Sequence, residues 1–370
     1  VAKAYDIAFR LGAKLNKDYS GTFSKAEDLA SKTVNKIKKT VVAIGALVLS
    51  AGAVTSAINT YKGFEQSMAN TAAIAGVEKG SETYEKLEKA ALDAGKATSK
   101  TAQESADALG YMALAGWSAE DSIKGLMPVL RLSEATQADL ATTSDLVTDS
   151  MSALGLGVDE LNHYLDVAAM ANNKSNQTAT QLLEAYIGVG GQFKNFNTEI
   201  EESAALLGVL ANRGIKGSEA GTKMNAVLAN LTKKSGESYK AMSKLGISAY
   251  DSKGNFKGIT AVLEELNDKT RNLTEEQRNT YLQMIGGKQN LDGLNALMSG
   301  LNTETAEGVN ELAALQAQLK DSGGALDTMA EAINDTMTGA FYRLSSAVDD
   351  LKINLVKKLE PYITPVINTI

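Results

Sequence analysis

Apolar residues recur at three- and four-residue steps along most of the chain, a period that predicts helices. Residues 1–39 read as a basic amphipathic segment. Ile7, Leu11 and Leu15 lie one helical turn apart, Ser20 and Gly21 offer a break, and a second helix carries Leu29, Val34 and Ile37. From Thr40 to Tyr61 the pattern changes to 22 residues without a charge, entered through Lys36, Lys38 and Lys39 and left through Lys62. About 20 apolar residues span a bilayer core, so this run, the centre of a 40–62 hydrophobic helix, is long enough. Ala, Gly, Ser and Thr fill much of it, which makes it a weak transmembrane helix. Its small residues at four-residue spacing (Ala46 and Ser50, Gly52 and Ser56, Ala53 and Ala57) suit close helix packing in lipid. On the same letters Ile37, Val41, Ile44, Val48, Ala51, Thr55 and Ile58 alternate steps of 4 and 3, a heptad seam. Three readings compete: a helix buried in a homo-oligomeric coiled coil, a segment that inserts conditionally in a membrane, and a constitutive anchor. The membrane-active candidates are Val41, Val42, Ile44, Leu47, Val48, Leu49, Val54 and Ile58.

Residues 63–116 read as a helical connector with Leu87, Leu92 and Leu109 among many alanines. A repeat follows over 117–231, where Trp117, Gly157 and Asn197 open segments spaced by 40 residues. Each opens with a capping pattern: Ser118 with Asp121, Asp159 with Glu160 behind it, and Thr198 with Glu201. An apolar helix, a polar break and a second helix then predict three hairpins, at 117–156, 157–196 and 197–231; such a period usually means stacked helix pairs. Residues 232–300 are helical around one turn, Asp251 to Phe256, where Gly254 is free to take positive φ and a short β-hairpin is expected. The last part, 301–370, carries a stripe of Leu326, Met329, Ile333, Met337, Phe341, Leu344, Val348, Leu351, Leu355 and Leu359. That stripe predicts one helix of about 50 Å, ended by Pro361. It calls for a partner, from the same chain or a symmetric copy. The second candidate oligomer seam is therefore Leu344, Val348, Leu351 and Leu355, beside Ile37, Val41, Ile44 and Val48.

Composition supports an all-α class of extended helices and stacked helical hairpins. The 370 residues hold three prolines, and none falls between Pro128 and Pro361; proline costs about 3 kcal/mol inside a helix. Aromatics are 5%, too few for a sandwich or barrel. Net charge is −7, unevenly spread: residues 1–40 hold nine basic against four acidic side chains, and the rest 28 against 40. The basic start suits an anionic surface or a solvated helix face, and the acidic body gives no reason for tight DNA binding.

With no cysteine and His163 as the single histidine, thiolate zinc sites, haem–His ligation, Cys–His nucleophiles and Ser–His–Asp triads cannot all be assembled. No cofactor, metal or catalytic residue is assigned. An EF-hand at 251–262 fails because Lys253 stands at a ligand position and Val262 at the place of the bidentate Glu. Gly190-Gly191 and Gly286-Gly287 lack the Lys-Ser/Thr of a phosphate loop and are read as helix ends or hinges. The remaining enzymatic option is Glu104-Ser105 followed by Gly125-Leu126-Met127, which faintly resembles lytic transglycosylases, peptidoglycan hydrolases with a lone acid. Pro128 replaces their glutamine, and Lys100, Thr101 and Gln103 replace the apolar run before the Glu. A helix-surface glutamate is the ordinary reading, and His163 is a surface or groove histidine.

The middle of the chain resembles the conserved core of phage tail tape measure proteins, shared by long-tailed phages and phage-derived contractile bacteriocins. The segments that carry the resemblance are ALGYMALAGWSAEDSIKGLMPVLRLSEAT (108–136), SDLVTDSMSALGL (144–156), VAAMANN (167–173) and ESAALLGVLANRGIKGSEAGTKMNAVLANL (202–231). LGISAYDSKGNFKGITAVLEELNDKT (245–270), LTEEQRNTYLQMIGG (273–287) and YKGFEQSMANTAAIAGV (61–77) extend it. Tyr111, Met112, Ala115, Gly116, Trp117, Asn212, Gly214 and Gly221 are its core motif residues. The resemblance implies a structural virion protein in the tail tube lumen that sets tube length and leaves ahead of the genome at infection. It also implies a homotrimer, with tail tube protein, baseplate hub or tail-tip proteins, tail assembly chaperones and, on ejection, the host membrane and envelope as partners. DNA would be met only in transit. Two departures stand out: relatives are often far longer, with repetitive helical stretches, and some carry a peptidoglycan-cutting domain that has no counterpart here.

Overall fold

The computed structural model describes residues 51–367. Sixteen helices and no strand occur among the described residues, so the chain is all-α. Five of them, α1 (Ala51–Ala75), α3 (Ala102–Leu114), α5 (Leu140–Leu154), α7 (Ala179–Asn195) and α9 (Gly217–Leu231), pack in succession as one layer. The intervening α2 (Glu82–Ala97), α4 (Ala119–Thr136), α6 (Leu161–Lys174) and α8 (Ile200–Asn212) form a second layer on it. Four shorter helices, α10 (Gly236–Leu245), α11 (Ile259–Thr270), α12 (Glu275–Gly286) and α13 (Leu291–Asn302), close the α8–α9 end. The chain then returns along the stack as α14 (Glu311–Lys320) on α6 and α8, α15 (Ala325–Asn334) on α4 and α6, and α16 (Met337–Ile367) on α1 and α2.

The repeat has a local cause. The α1, α3, α5 and α7 helices each end with a left-handed residue: Gly76, Gly116, Gly155 and Asn197. At each, the amide of the next residue reaches back five positions, as Trp117 N–H does to Met112 O at 3.1 Å. This closing motif satisfies orphan carbonyls and favours glycine or asparagine at the positive-φ position. N-caps open the helices by the complementary device: Ser81, Ser118 and Asp139 accept amides of the first turn, and Thr101 and Thr178 form full capping boxes with Glu104 and Gln181. The region read as a connector thus contributes a helix to each layer, α2 and α3. Its few bulky residues concealed it: Leu87, Leu109 and Met112 are its fully buried anchors among alanines.

Several local expectations are corrected. Asp159 lies in a 3-10 turn, Val158–Glu160, ahead of α6 and does not cap it; Glu160 instead accepts the Gly157 amide at 2.9 Å. Thr198 does not cap α8, which begins after Glu199 without a side-chain cap. Gly190 and Gly191 lie inside α7. A Cβ on Gly190 would stand 2.9 Å from the Ala153 carbonyl carbon, so the glycine exists to let α7 and α5 touch. Gly286 and Gly287 do end a helix, α12. The turn at 251–256 forms a single antiparallel bridge, Tyr250 with Phe256, around Gly254 at φ 85°; a second bridge, Glu304 with Asn310, had no recognised signal.

The long C-terminal helix is broken where none was expected and continues where a stop was expected. Thr336 Oγ1 accepts the Gly339 amide at 3.0 Å, a cap that starts a new helix after Asn334 and Asp335. Ser, Thr and Asx side chains compete in this way with helix continuation. The helix α16 then runs through Pro361 and Pro365 to Ile367.

One contiguous core joins the layers, from Phe64 and Met68 through Leu130, Tyr164, Tyr186 and Leu207 to Leu263, Leu297 and Ile353. The two buried tyrosines are hydrogen-bonded, Tyr164 Oη to Ser150 Oγ and Tyr186 Oη with Ser203 Oγ, both at 2.8 Å. Burial pushes both phenol pKa values well above the ordinary value, so they remain neutral.

Candidate functional surfaces

Of the uncharged 40–61 run, only residues from Ala51 onward are described, as the start of α1. Ile37, Val41, Val42, Ile44, Leu47, Val48 and Leu49 lie outside the described residues. Val54 lies on the first turn of α1 and Ile58 is half-buried. The face that α1 turns to its own chain carries Ala57, Phe64, Met68 and Ala72, one helical row away from Thr55 and Ile58. Tyr61 on α1 donates to Glu360 of α16 at 2.8 Å, tying the two ends of the described chain together. Among the described residues no helix is long and apolar enough to cross a membrane.

The resemblance residues 111–117 form the junction of two helix pairs. Met112 is fully buried, Tyr111 half-buried, and Ala115 is the last cap residue before the left-handed Gly116. Trp117, turned back by that glycine, lays its indole over Gly125, where a Cβ would overlap the ring. These residues shape the helix-to-helix corner.

Asn212 and Gly214 belong to a second corner. Asn212 Oδ1 accepts the Asn176 amide at 2.8 Å, and its Nδ2 donates to Glu311 Oε1 at 2.7 Å. The neighbouring Arg213 grips the same carboxylate with both terminal nitrogens, at 3.1 and 2.7 Å, and reaches Ser299 Oγ at 3.0 Å. One residue cluster thereby joins α8, the α6–α7 turn, α13 and α14. Burial raises the Glu311 pKa, but the bonds from Arg213 and Asn212 outweigh it and hold the carboxyl below its ordinary value. Gly221 lets α9 lie against α7, since a Cβ there would overlap the Ala185 carbonyl. Sequence reasoning missed Arg213 and Glu311, 98 positions apart; a half-buried ion pair between distant segments leaves no local pattern.

The return layer has a device of the same kind. Asp166 of α6 accepts the amides of Gly324 and Leu326, both at 3.0 Å, and so caps α15 from another helix. Leu326 and Ala330 are buried beneath it. Beyond the break at Asp335 and Thr336 the same stripe emerges: Leu344, Val348 and Leu351 are exposed and Leu355 is half-buried.

Glu104, the one acid with an enzymatic reading, accepts the Thr101 amide and hydroxyl at 2.8 Å each. It completes a capping box at the rim of a polar cleft of about 740 Å³ beside the α15–α16 break. The floor of that cleft holds Glu134, buried and accepting the Ser99 amide. His163 is exposed and lies 3.0 Å from Glu201 in a second polar cleft. No cluster of metal-ligating side chains occurs among the described residues.

Comparison with known proteins gives a consistent picture. Residues 88–287 match the family model of phage-related minor tail proteins. The tape measure protein of Pneumococcus phage Dp-1 is 29% identical over 319 residues, 86% of this chain and 27% of that protein. The probable tape measure protein of Escherichia phage P2 is 30% identical over 326 residues, 86% of this chain and 39% of that protein. The chain thus spans well under half the length of these curated relatives. No solved structure matches it.

Proposed function

Because the chain belongs to the family of phage-related minor tail proteins, we propose that it serves as the helical core of a tape measure protein. In this reading the protein occupies the tail tube lumen as a homo-oligomer, sets tube length during assembly, and leaves at infection to help the genome across the host envelope. Tail tube subunits, hub or tip proteins and assembly chaperones are its partners. The observation that carries the reading is the extent of the match to two tape measure proteins, 86% of the chain in each case. The described residues support a structural role rather than an enzymatic one, since their buried polar groups close helix ends and corners. The test is an in-frame deletion of about 28 residues from the parent gene, in a helical segment outside 88–287, with tails measured by electron microscopy. At 1.5 Å per residue, tails shorter by about 40 Å are expected; tails of unchanged length would overturn the ruler.

A second reading rests on the 22 uncharged residues between Lys39 and Lys62. In it, several copies insert residues 40–61 into the host membrane on ejection and form a conduit. Dye release from anionic liposomes is then expected, and its loss with Leu47→Asp plus Val48→Asp; leakage indifferent to those changes would remove the reading.

A further inference from the structure

The polar cleft beside the α15–α16 break has walls fixed from within. Ser133 and Ser346, both buried, donate to Ala138 O at 2.8 Å and to Ser99 O at 3.1 Å. The break itself is set by Gly339, where a Cβ would overlap the backbone of Asn334. Both carboxylates of the cleft are spent, Glu134 on the Ser99 amide and Arg131, and Glu104 on Thr101. Other groups on the walls are free. The side chains of Gln137, Asn334, Thr338, Tyr342 and Ser345 make no hydrogen bond among the described residues, and Lys100 meets no carboxylate there. Asn334 matters most, because it is only 5% exposed. Buried amides are ordinarily hydrogen-bonded, so the partner of this one comes from whatever fills the cleft.

We propose that the cleft binds a neutral, polyhydroxylated ligand, a short saccharide. Three features select that class. First, its volume of about 740 Å³ suits a small ligand, yet Ile333 and the Tyr342 ring are the apolar side chains of its described walls. An apolar ligand would gain little there and would strand the polar groups. Second, charge selects neither sign. An anion would meet one ammonium against two carboxylates, and a cation would find both carboxylates already engaged. Third, the free groups are mostly amides and hydroxyls, which donate and accept alike, as sugar hydroxyls do. Tyr342, 59% exposed, offers its ring to the apolar face of a pyranose. The Asn334 amide then donates to one ring hydroxyl and accepts from the next. This site lies beyond the tail reading and does not depend on it.

The test is calorimetric titration of the full chain with two neutral trisaccharides, maltotriose and chitotriose. At least one is expected to bind with a Kd of about 1 mM or tighter. Preference for chitotriose would assign the cleft to acetamido sugars, and preference for maltotriose to plain glucans; either supports the proposal. Asn334→Ala and Tyr342→Ala are each expected to weaken binding about tenfold. Helical circular dichroism should stay unchanged, since neither side chain makes a hydrogen bond in the fold. Tyr239→Ala, which removes an exposed tyrosine of α10, should leave the affinity as it is. No heat from either sugar at about 10 mM would overturn the proposal. So would an affinity indifferent to either cleft substitution, or displacement of the sugar by equimolar inorganic phosphate or putrescine, which would make the cleft a site for ions.

Discussion

The α3–α9 stack and the α16 helix are built from similar letters and solve opposite problems. In the stack each helix packs on its layer neighbours and on the facing layer, the glycines are placed where helices touch, and Tyr164 and Tyr186 find hydroxyl partners inside the core. Along α16 one row of side chains is buried, while the more regular apolar row faces outward. Periodicity alone therefore marks a helix that wants a partner without saying which row the chain itself will use. What decides is the register of packing partners, here Tyr61, Glu88 and Lys96 meeting Glu360, Lys357 and Asp350.

That contrast is open to attack in order of expected effect. Leu130→Ala in the buried stack is expected to cost about 2–5 kcal/mol, read as a lowered denaturation midpoint; a loss below about 1 kcal/mol would mean the stack is looser than its burial indicates. Arg213→Ala leaves the half-buried Glu311 without its cation and with Asn212 as its remaining donor, for an expected loss of about 2 kcal/mol. The Glu311 carboxyl is held below its ordinary value of 4.5, so its contribution is present above that pH and is lost as pH falls through the lower folded value. Acid titration should accordingly destabilise the wild type more than Arg213→Ala, and parallel pH profiles would refute the assignment. Asp166→Ala removes the cap on α15 and is expected to cost about 1 kcal/mol, with amide exchange accelerating first at Gly324 and Leu326. Smallest of all, Leu351→Ala should shift the dilute chain's stability by less than about 0.5 kcal/mol. A larger shift under those conditions would mean that the outer row of α16 is covered by the chain itself.

The helical class was readable because its cues are local: Ser118 before α4, apolar residues at helical steps, polar turns between. The packing of α2 on α3 was not read because alanines do most of it and carry little periodic contrast. Asp159 and Thr198 misled for the opposite reason. Both are good caps by residue type, but Leu156 and Phe193 contribute to closing turns that move the helix starts onward. The break at Thr336 was hidden by the stripe running through it, since three polar residues between Ile333 and Met337 fit the apolar spacing undisturbed. At the surfaces, Gly116 and Gly214 stood out in sequence, whereas Arg213–Glu311 and Asp166 act across the fold and were visible only once the layers were assembled.

The stacked pairs also change the unit in which this chain can be lengthened or shortened. A single helix of 40 residues advances about 60 Å, whereas a stacked pair of the same length advances by one helix width, about 8–10 Å. The stack is thus geared down roughly sixfold against a straight helix, and it is also quantised. Removing a few residues from one hairpin disturbs a corner at Gly116 or Gly155 without shortening anything, while removing a whole pair takes out one step. Evolution by small insertions and deletions can tune a straight helix continuously, but it can alter this stack only by the pair.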